Sequence, residues 1–339
     1  MVSFFKLFLF SLLIIFFGCG SSEDDKIRFA ITEAEIHLNT LECNKAITIL
    51  EEIGAQNSNR RYVQTLASAY ACKAGFKETT LFTDLGSVSA GGTLLGQFTK
   101  FASALNMTSS DDIDFLNMQT AIDTLLYAGG LSTSNNPTVD SRASMFNADD
   151  ALNINTQLFY LLFDQLGRYG YYYGCYDGSS GAKGAGRSSA PTCSNECFAH
   201  YWSNENISSG GSTVSISAYL AITNPADLAG TCDDRTSGHT SLQGTDYTTS
   251  QVTTLCQGVV IMNNFIQVLT EISAKVTAFA AFATVKAFFD TARSNGTATG
   301  ITDLMDTLSL TKCVADNDNT AGKKNLMKYF VLFYESTFL

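Results

Sequence analysis

Only three prolines, Pro137, Pro191 and Pro225, interrupt a chain of 339 residues. Proline breaks a helix interior by removing an N–H donor and clashing with the preceding turn. Its scarcity leaves long stretches in which helices can run unbroken. Hydrophobic residues make up 45% of the chain and aromatic residues 12%. That is enough apolar surface to build a core, and it argues against disorder. The expected fold class is all-α.

Apolar residues recur at helical spacing over 27–53, with a break near Asn39 to Asn44, and again over "RRYVQTLASAYACKAGF", residues 60–76. Three helices are therefore expected in about fifty residues. The stretch "SSDDIDFLNMQTAIDTLLYAGG" predicts a helix capped by Ser109 or Ser110, with acidic first-turn residues and a Gly-Gly stop. "LSTSNNPTVDS" reads as loop, and Ala148 to Tyr173 as a long buried helix. Residues 174–197 and 203–247 are rich in Gly, Ser, Thr and Asp, with room for one short helix near Val214 to Ile222. Helices are expected again over 248–293, 300–311 and 322–337. The predicted organisation is 1–18 signal segment, 19–26 polar tether, 27–108 helical repeat region, 109–173 helical body, 174–245 loop-rich insertion and 246–339 C-terminal helical body.

The N-terminus carries Lys6 and then an apolar run from Leu7 to Phe17, interrupted only by Ser11. It is too short for a membrane span, which needs roughly 20 residues, and suits the apolar region of a signal peptide. Phe16-Phe17-Gly18-Cys19 follows. This tract resembles the lipobox of bacterial lipoproteins, with Phe17 where that family has a small residue. The resemblance implies that Cys19 is acylated as the mature N-terminus. Gly20 in place of Asp implies outer-membrane anchoring, facing the periplasm or the surface. The tether would hold the first helix off the bilayer.

Nine cysteines occur, and without Cys19 an even set of eight remains: Cys43, Cys72, Cys175, Cys193, Cys197, Cys232, Cys256 and Cys313. In an exported chain an even count predicts disulfides. The insertion should depend on bridges among Cys175, Cys193, Cys197 and Cys232 rather than on a core, with Cys256 and Cys313 joining C-terminal helices; fifteen connectivities are open to these six. Cys193-x3-Cys197-x2-His200 lacks a second short-spaced ligand pair, so no metal is expected.

Leu66-Ala67-x-x-Tyr70 resembles the first-helix signature of the tetratricopeptide (TPR) repeat, and Ala34 lies 33 residues before Ala67. Ala46 and Leu50 match the small and large apolar positions of the second helix. The resemblance implies antiparallel hairpins, in which Cys43 at the start of one helix meets Cys72 at the end of the next. It also implies a concave surface that binds a peptide or protein partner.

Chemistry is hard to find in the chain. The three histidines form no H-E-x-x-H motif, there is no G-x-S-x-G elbow, and the glycine-rich run 178–186 lacks G-K-[ST]. No enzyme and no cofactor are expected. The formal charge of −11 with dispersed basic residues excludes a nucleic-acid binder. Tyr169, Tyr171, Tyr172, Tyr173 and Tyr176 crowd "GRYGYYYGCYDG", with Trp202 beyond. Such rings suit contacts with sugars, peptides or proteins, and equally a helix end packed on its own insertion; rings fill cores more often than sites. The expected function is an envelope-anchored, non-enzymatic interaction or scaffold lipoprotein. The alternative is a periplasmic small-ligand binder resembling the TPR lipoproteins that accompany TRAP-type transporters, which would hold a central pocket.

Overall fold

The computed structural model describes residues 22–77, 107–176, 197–201, 205–223, 239–242, 244, 246–275 and 282–335. Among these residues the fold is all-α with one small hairpin. The helices are α1 (Glu23–Asn39), α2 (Cys43–Glu52), α3 (Arg60–Lys73), α4 (Ile113–Leu126), α5 (Val139–Met145), α6 (Ala148–Tyr173), α7 (Ile216–Thr223), α8 (Thr249–Lys275), α9 (Ala283–Thr299), α10 (Thr302–Met305), α11 (Leu310–Asn317) and α12 (Thr320–Phe333). Strands β1 (Asn206–Ser209) and β2 (Ser212–Ser215) pair antiparallel, with Asn206 opposite Ser215 and Ser209 opposite Ser212.

The first three helices form where the periodicity placed them. Ser22 caps α1 by accepting from the Asp25 N–H, and Glu23, Asp24 and Asp25 complement the helix dipole. Asn59 caps α3 through the Tyr62 N–H. Ala34, Ala46 and Ala67 are wholly buried where α1, α2 and α3 pack on one another. Small side chains at these points let the helix axes approach closely. α3 then packs on α4, α4 on α6, and α6 on α8, which carries α11 and α12. Among the described residues, only α8 is long and apolar enough to cross a membrane, and most of that apolar stretch is buried inside the body.

Several expectations are corrected. α4 begins at Ile113 because Asp112, not Ser109 or Ser110, takes the Asp114 and Phe115 N–H groups. A carboxylate there also accepts from the Thr108 backbone and hydroxyl, so the serines are left outside the helix. The end of the tract read as loop begins a helix, α5, capped by Thr138 and continuing to Met145. α7 starts two residues late because Val214 belongs to β2. α9 runs on to Thr299 and stops at Gly300, which adopts a left-handed φ of 82°. The stretch 300–311 is not one helix. Ser309 caps a new helix, α11, and its hydroxyl donates to the Thr133 carbonyl 2.6 Å away.

The largest correction concerns 174–245. That region was expected to lack long helices and to depend on cysteine bridges, with 174–197 held by cysteines rather than by a core. Cys175 and Cys197 are indeed disulfide-bonded and α7 is short, but a core is present too. Its described parts enter the core directly: Tyr176, Phe198, Ala199, Tyr201 and Ile207 are buried. The Phe198 ring lies 4.9 Å from that of Tyr334, and the Glu335 carboxylate accepts from the Phe198 N–H and the Tyr201 hydroxyl. The hairpin is stitched to α9, with the Ser208 N–H donating to Thr299 Oγ1. A few large rings bury enough area to anchor a segment whose average composition is polar.

Candidate interaction surface

Among the described residues, helices α1 to α3, the N-terminal unit, carry an open cleft of about 800 Å³. It is lined by Asp24, Ile27, Arg28 and Ile31 of α1, by the loop 55–59, and by Arg60, Arg61 and Asp150. The loop is short because Gly54 turns the chain after α2 at φ 74° and Asn59 starts α3 at once. The Gly129 N–H donates to the Asn57 carbonyl, which pins the loop to the α4 end.

Arg60 and Arg61 occupy the first turn of α3, where the helix dipole disfavours cations. Carboxylates from other helices offset this. Arg60 Nε lies 2.6 Å from Asp150 Oδ1 in the first turn of α6. Arg61 meets Glu35 of α1 through two parallel bonds, Nε to Oε1 at 2.8 Å and Nη2 to Oε2 at 2.5 Å, and also reaches Thr32 Oγ1. Arg28 pairs with Asp25 at 2.8 Å. The hydrogen bond from Arg61 holds Glu35 below its ordinary pKa, against the opposing effect of partial burial. The cleft is therefore a mixed-charge surface whose side chains are already ordered. Such a surface can pair with backbone amides and with charged side chains of either sign.

The opposite end of the unit is closed by a disulfide between Cys43 and Cys72, with 5.7 Å between Cα atoms. It joins the start of α2 to the end of α3, as antiparallel packing predicts. Cys256 and Cys313 are also bridged, joining α8 to α11. Cys175 and Cys197 are disulfide-bonded and buried. Cys197 is therefore no thiolate ligand for the Cys193-x3-Cys197-x2-His200 spacing. Cys19, Cys193, Cys232 and Trp202 lie outside the described residues.

The tyrosines are divided by the fold. Tyr169, Tyr173 and Tyr176 are wholly buried and Tyr171 and Tyr172 half-buried. Tyr169 packs against Tyr173 at 4.6 Å and Tyr334 at 5.6 Å, and its hydroxyl donates to the Thr254 carbonyl. As candidate contacts for an outside ligand, Tyr169, Tyr173 and Tyr176 are corrected: their faces are covered by the protein's own rings, because α6 runs through the centre of the body.

The cleft residues were not singled out in the sequence. The available signal was the pair Arg60-Arg61 directly after an Asn cap, a placement that needs acidic partners from elsewhere in the fold. The chain finds no match among family models, among curated proteins or among solved structures.

Proposed function

We propose that this protein is an envelope-anchored lipoprotein that binds a protein or peptide partner through the cleft between α1 and α3, and that it works without catalysing a reaction. The observation that carries the reading is the cleft itself: three guanidiniums, each paired with a carboxylate, line a groove between two neighbouring helices of an antiparallel set. TPR-like modules bind their partners on an extended concave surface built by stacked helices. Ala67 at a helix crossing and Tyr70, whose hydroxyl donates to Glu51 Oε1 at 2.6 Å, fit the positions of that repeat's signature. The apolar run Leu7–Phe17 ahead of Cys19 supports an acyl anchor in the outer membrane, and the cysteine bridges suit an oxidising compartment. The cleft starts at Asp24, five residues beyond Cys19, so the partner would be met close to the membrane.

Two measurements test this reading. Mass spectrometry of detergent-extracted protein should find acyl chains on Cys19, and Cys19→Ala should release the protein from membranes. Cross-linking in intact envelopes should capture a partner with the wild type and lose it with Ser58→Trp, which fills the mouth of the cleft at an exposed loop position. Equal capture by both proteins would sink the cleft assignment, and a soluble, unlipidated wild type would sink the anchor.

A further inference from the structure

Among the described residues two arginines have no exposed surface, Arg142 and Arg168, and they are neutralised differently. Arg168 Nε lies 2.7 Å from Asp164 Oδ2, a direct ion pair. Arg142, on α5, has no such partner. Its Nε donates to Asn155 Oδ1 and its Nη1 to the Pro137 carbonyl, both at 2.7 Å, and both acceptors are neutral. Nη2 is buried and has no hydrogen-bond partner. The carboxylate whose charge acts on Arg142, Glu271 of α8, accepts from the amide nitrogen of Asn155 and is already paired with Lys275 at 2.7 Å. Gln267 lies one turn before Glu271. Its Oε1 accepts from the Val139 N–H, one turn before Arg142, while its Nε2 is buried and has no partner.

A buried cation bonded only to neutral oxygens is costly, and two unpartnered donors at the same α5–α8 junction add to that cost. Burial lowers the Arg142 pKa to about 10, so the guanidinium stays charged at neutral pH. We propose that this junction is a binding site for a small monovalent anion of chloride size, held between Arg142 Nη2 and Gln267 Nε2. A single acceptor there would complete both groups and neutralise the buried charge. It would also brace the loop before α5, where Asn136 bonds the Asp306 carbonyl and the Leu308 N–H. The anion would thus tie α5 directly to α8.

The test is thermal unfolding of the purified full chain in sodium chloride against sodium gluconate at equal ionic strength, gluconate being too large for a buried site. Chloride should raise the melting temperature saturably, by about 2–5 °C. Gln267→Glu keeps an oxygen for the Val139 N–H and places a second beside Arg142. In gluconate this variant should melt at or above the temperature that the wild type reaches in chloride, and it should lose the chloride response. Crystals soaked in sodium bromide should show an anomalous peak within hydrogen-bonding distance of Arg142 Nη2. Superimposable chloride and gluconate curves for the wild type overturn the proposal. So do a full chloride response in Gln267→Glu, and a peak there that scatters only as water.

Discussion

Arg61 grips Glu35 from 26 residues further along the chain, with Nε 2.8 Å from Oε1 and Nη2 on Oε2. This contact fixes how α3 lies against α1, and so it shapes the cleft. The Thr65 hydroxyl also faces Oε1, at 3.4 Å. The pair is partly open to water, so its worth is that of a surface ion pair, at most about 1 kcal/mol.

The first prediction is a dependence on acid. The folded state holds Glu35 below its ordinary value of 4.5, chiefly through the Arg61 hydrogen bond. A carboxylate with a depressed folded pKa stabilises the fold fully above its unfolded value, and that contribution is lost as pH falls through the folded one. Protection of α1 amides from hydrogen exchange should therefore weaken below about pH 4.5. Glu35→Gln should be less protected at pH 7 and should show a shallower loss on acidification. A Glu35→Gln profile parallel to that of the wild type would remove the ion pair from the account.

The second prediction separates the disulfides. Cys256 and Cys313 are wholly buried, whereas Cys43 and Cys72 are half-buried. Mild reductant without denaturant should open Cys43–Cys72 first, as differential alkylation and peptide mapping would show. Cys43→Ser with Cys72→Ser should cost about 2–4 kcal/mol of stability in the N-terminal unit, read from its urea midpoint. Alkylation of Cys256 before Cys43 would contradict the burial seen here.

The Cys43–Cys72 pairing was legible because the TPR resemblance of 27–76 implied antiparallel hairpins, and the helical period placed Cys43 at the start of one helix and Cys72 near the end of the next. The bounds of α6 were legible too. Asn147 caps it, Asp149 and Asp150 fill its first turn, and Gly174 follows its end. α5 was not legible, because "VDSRASM" is short and polar and only Arg142 of its residues is buried. Its stability rests on Asn155 and Gln267, which no local pattern announces. The cleft was hidden for the same reason: Asp150 and Glu35 reach the arginines only through tertiary packing.

The third prediction concerns the buried ion pair on α6. Arg168 donates to Asp164 and, through Nη2, to the Ala74 carbonyl just past the end of α3. Removing one partner strands a buried charge. Asp164→Ala should cost about 3–5 kcal/mol, measured by chemical unfolding. Asp164→Leu combined with Arg168→Met should recover part of that loss. If the double variant were no more stable than Asp164→Ala, the loss would lie in packing rather than in the uncompensated guanidinium.

The last prediction tests whether the loop-rich region is held by its rings. Gly174 ends α6 at an ordinary φ of −95°, so the backbone does not demand glycine there. The space does. A Cβ at 174 would fall 2.2 Å from Phe198 Cζ and 2.8 Å from the Gly170 carbonyl oxygen. Gly174→Ala must therefore push Phe198 away from Tyr169 and Tyr334, at a cost of about 1–3 kcal/mol, despite adding a residue that the helix itself prefers. Phe198→Ala should cost about 3–5 kcal/mol by leaving a cavity among those rings. In the Gly174→Ala, Phe198→Leu double variant the smaller side chain relieves the clash, and the penalty for Gly174→Ala should shrink. Urea unfolding of the four proteins gives the coupling energy. Additive losses would mean that Phe198 does not press on Gly174. The segment 197–201 would then be fixed chiefly by the disulfide at Cys197 and the Glu335 carboxylate, as a cysteine-held insertion would require.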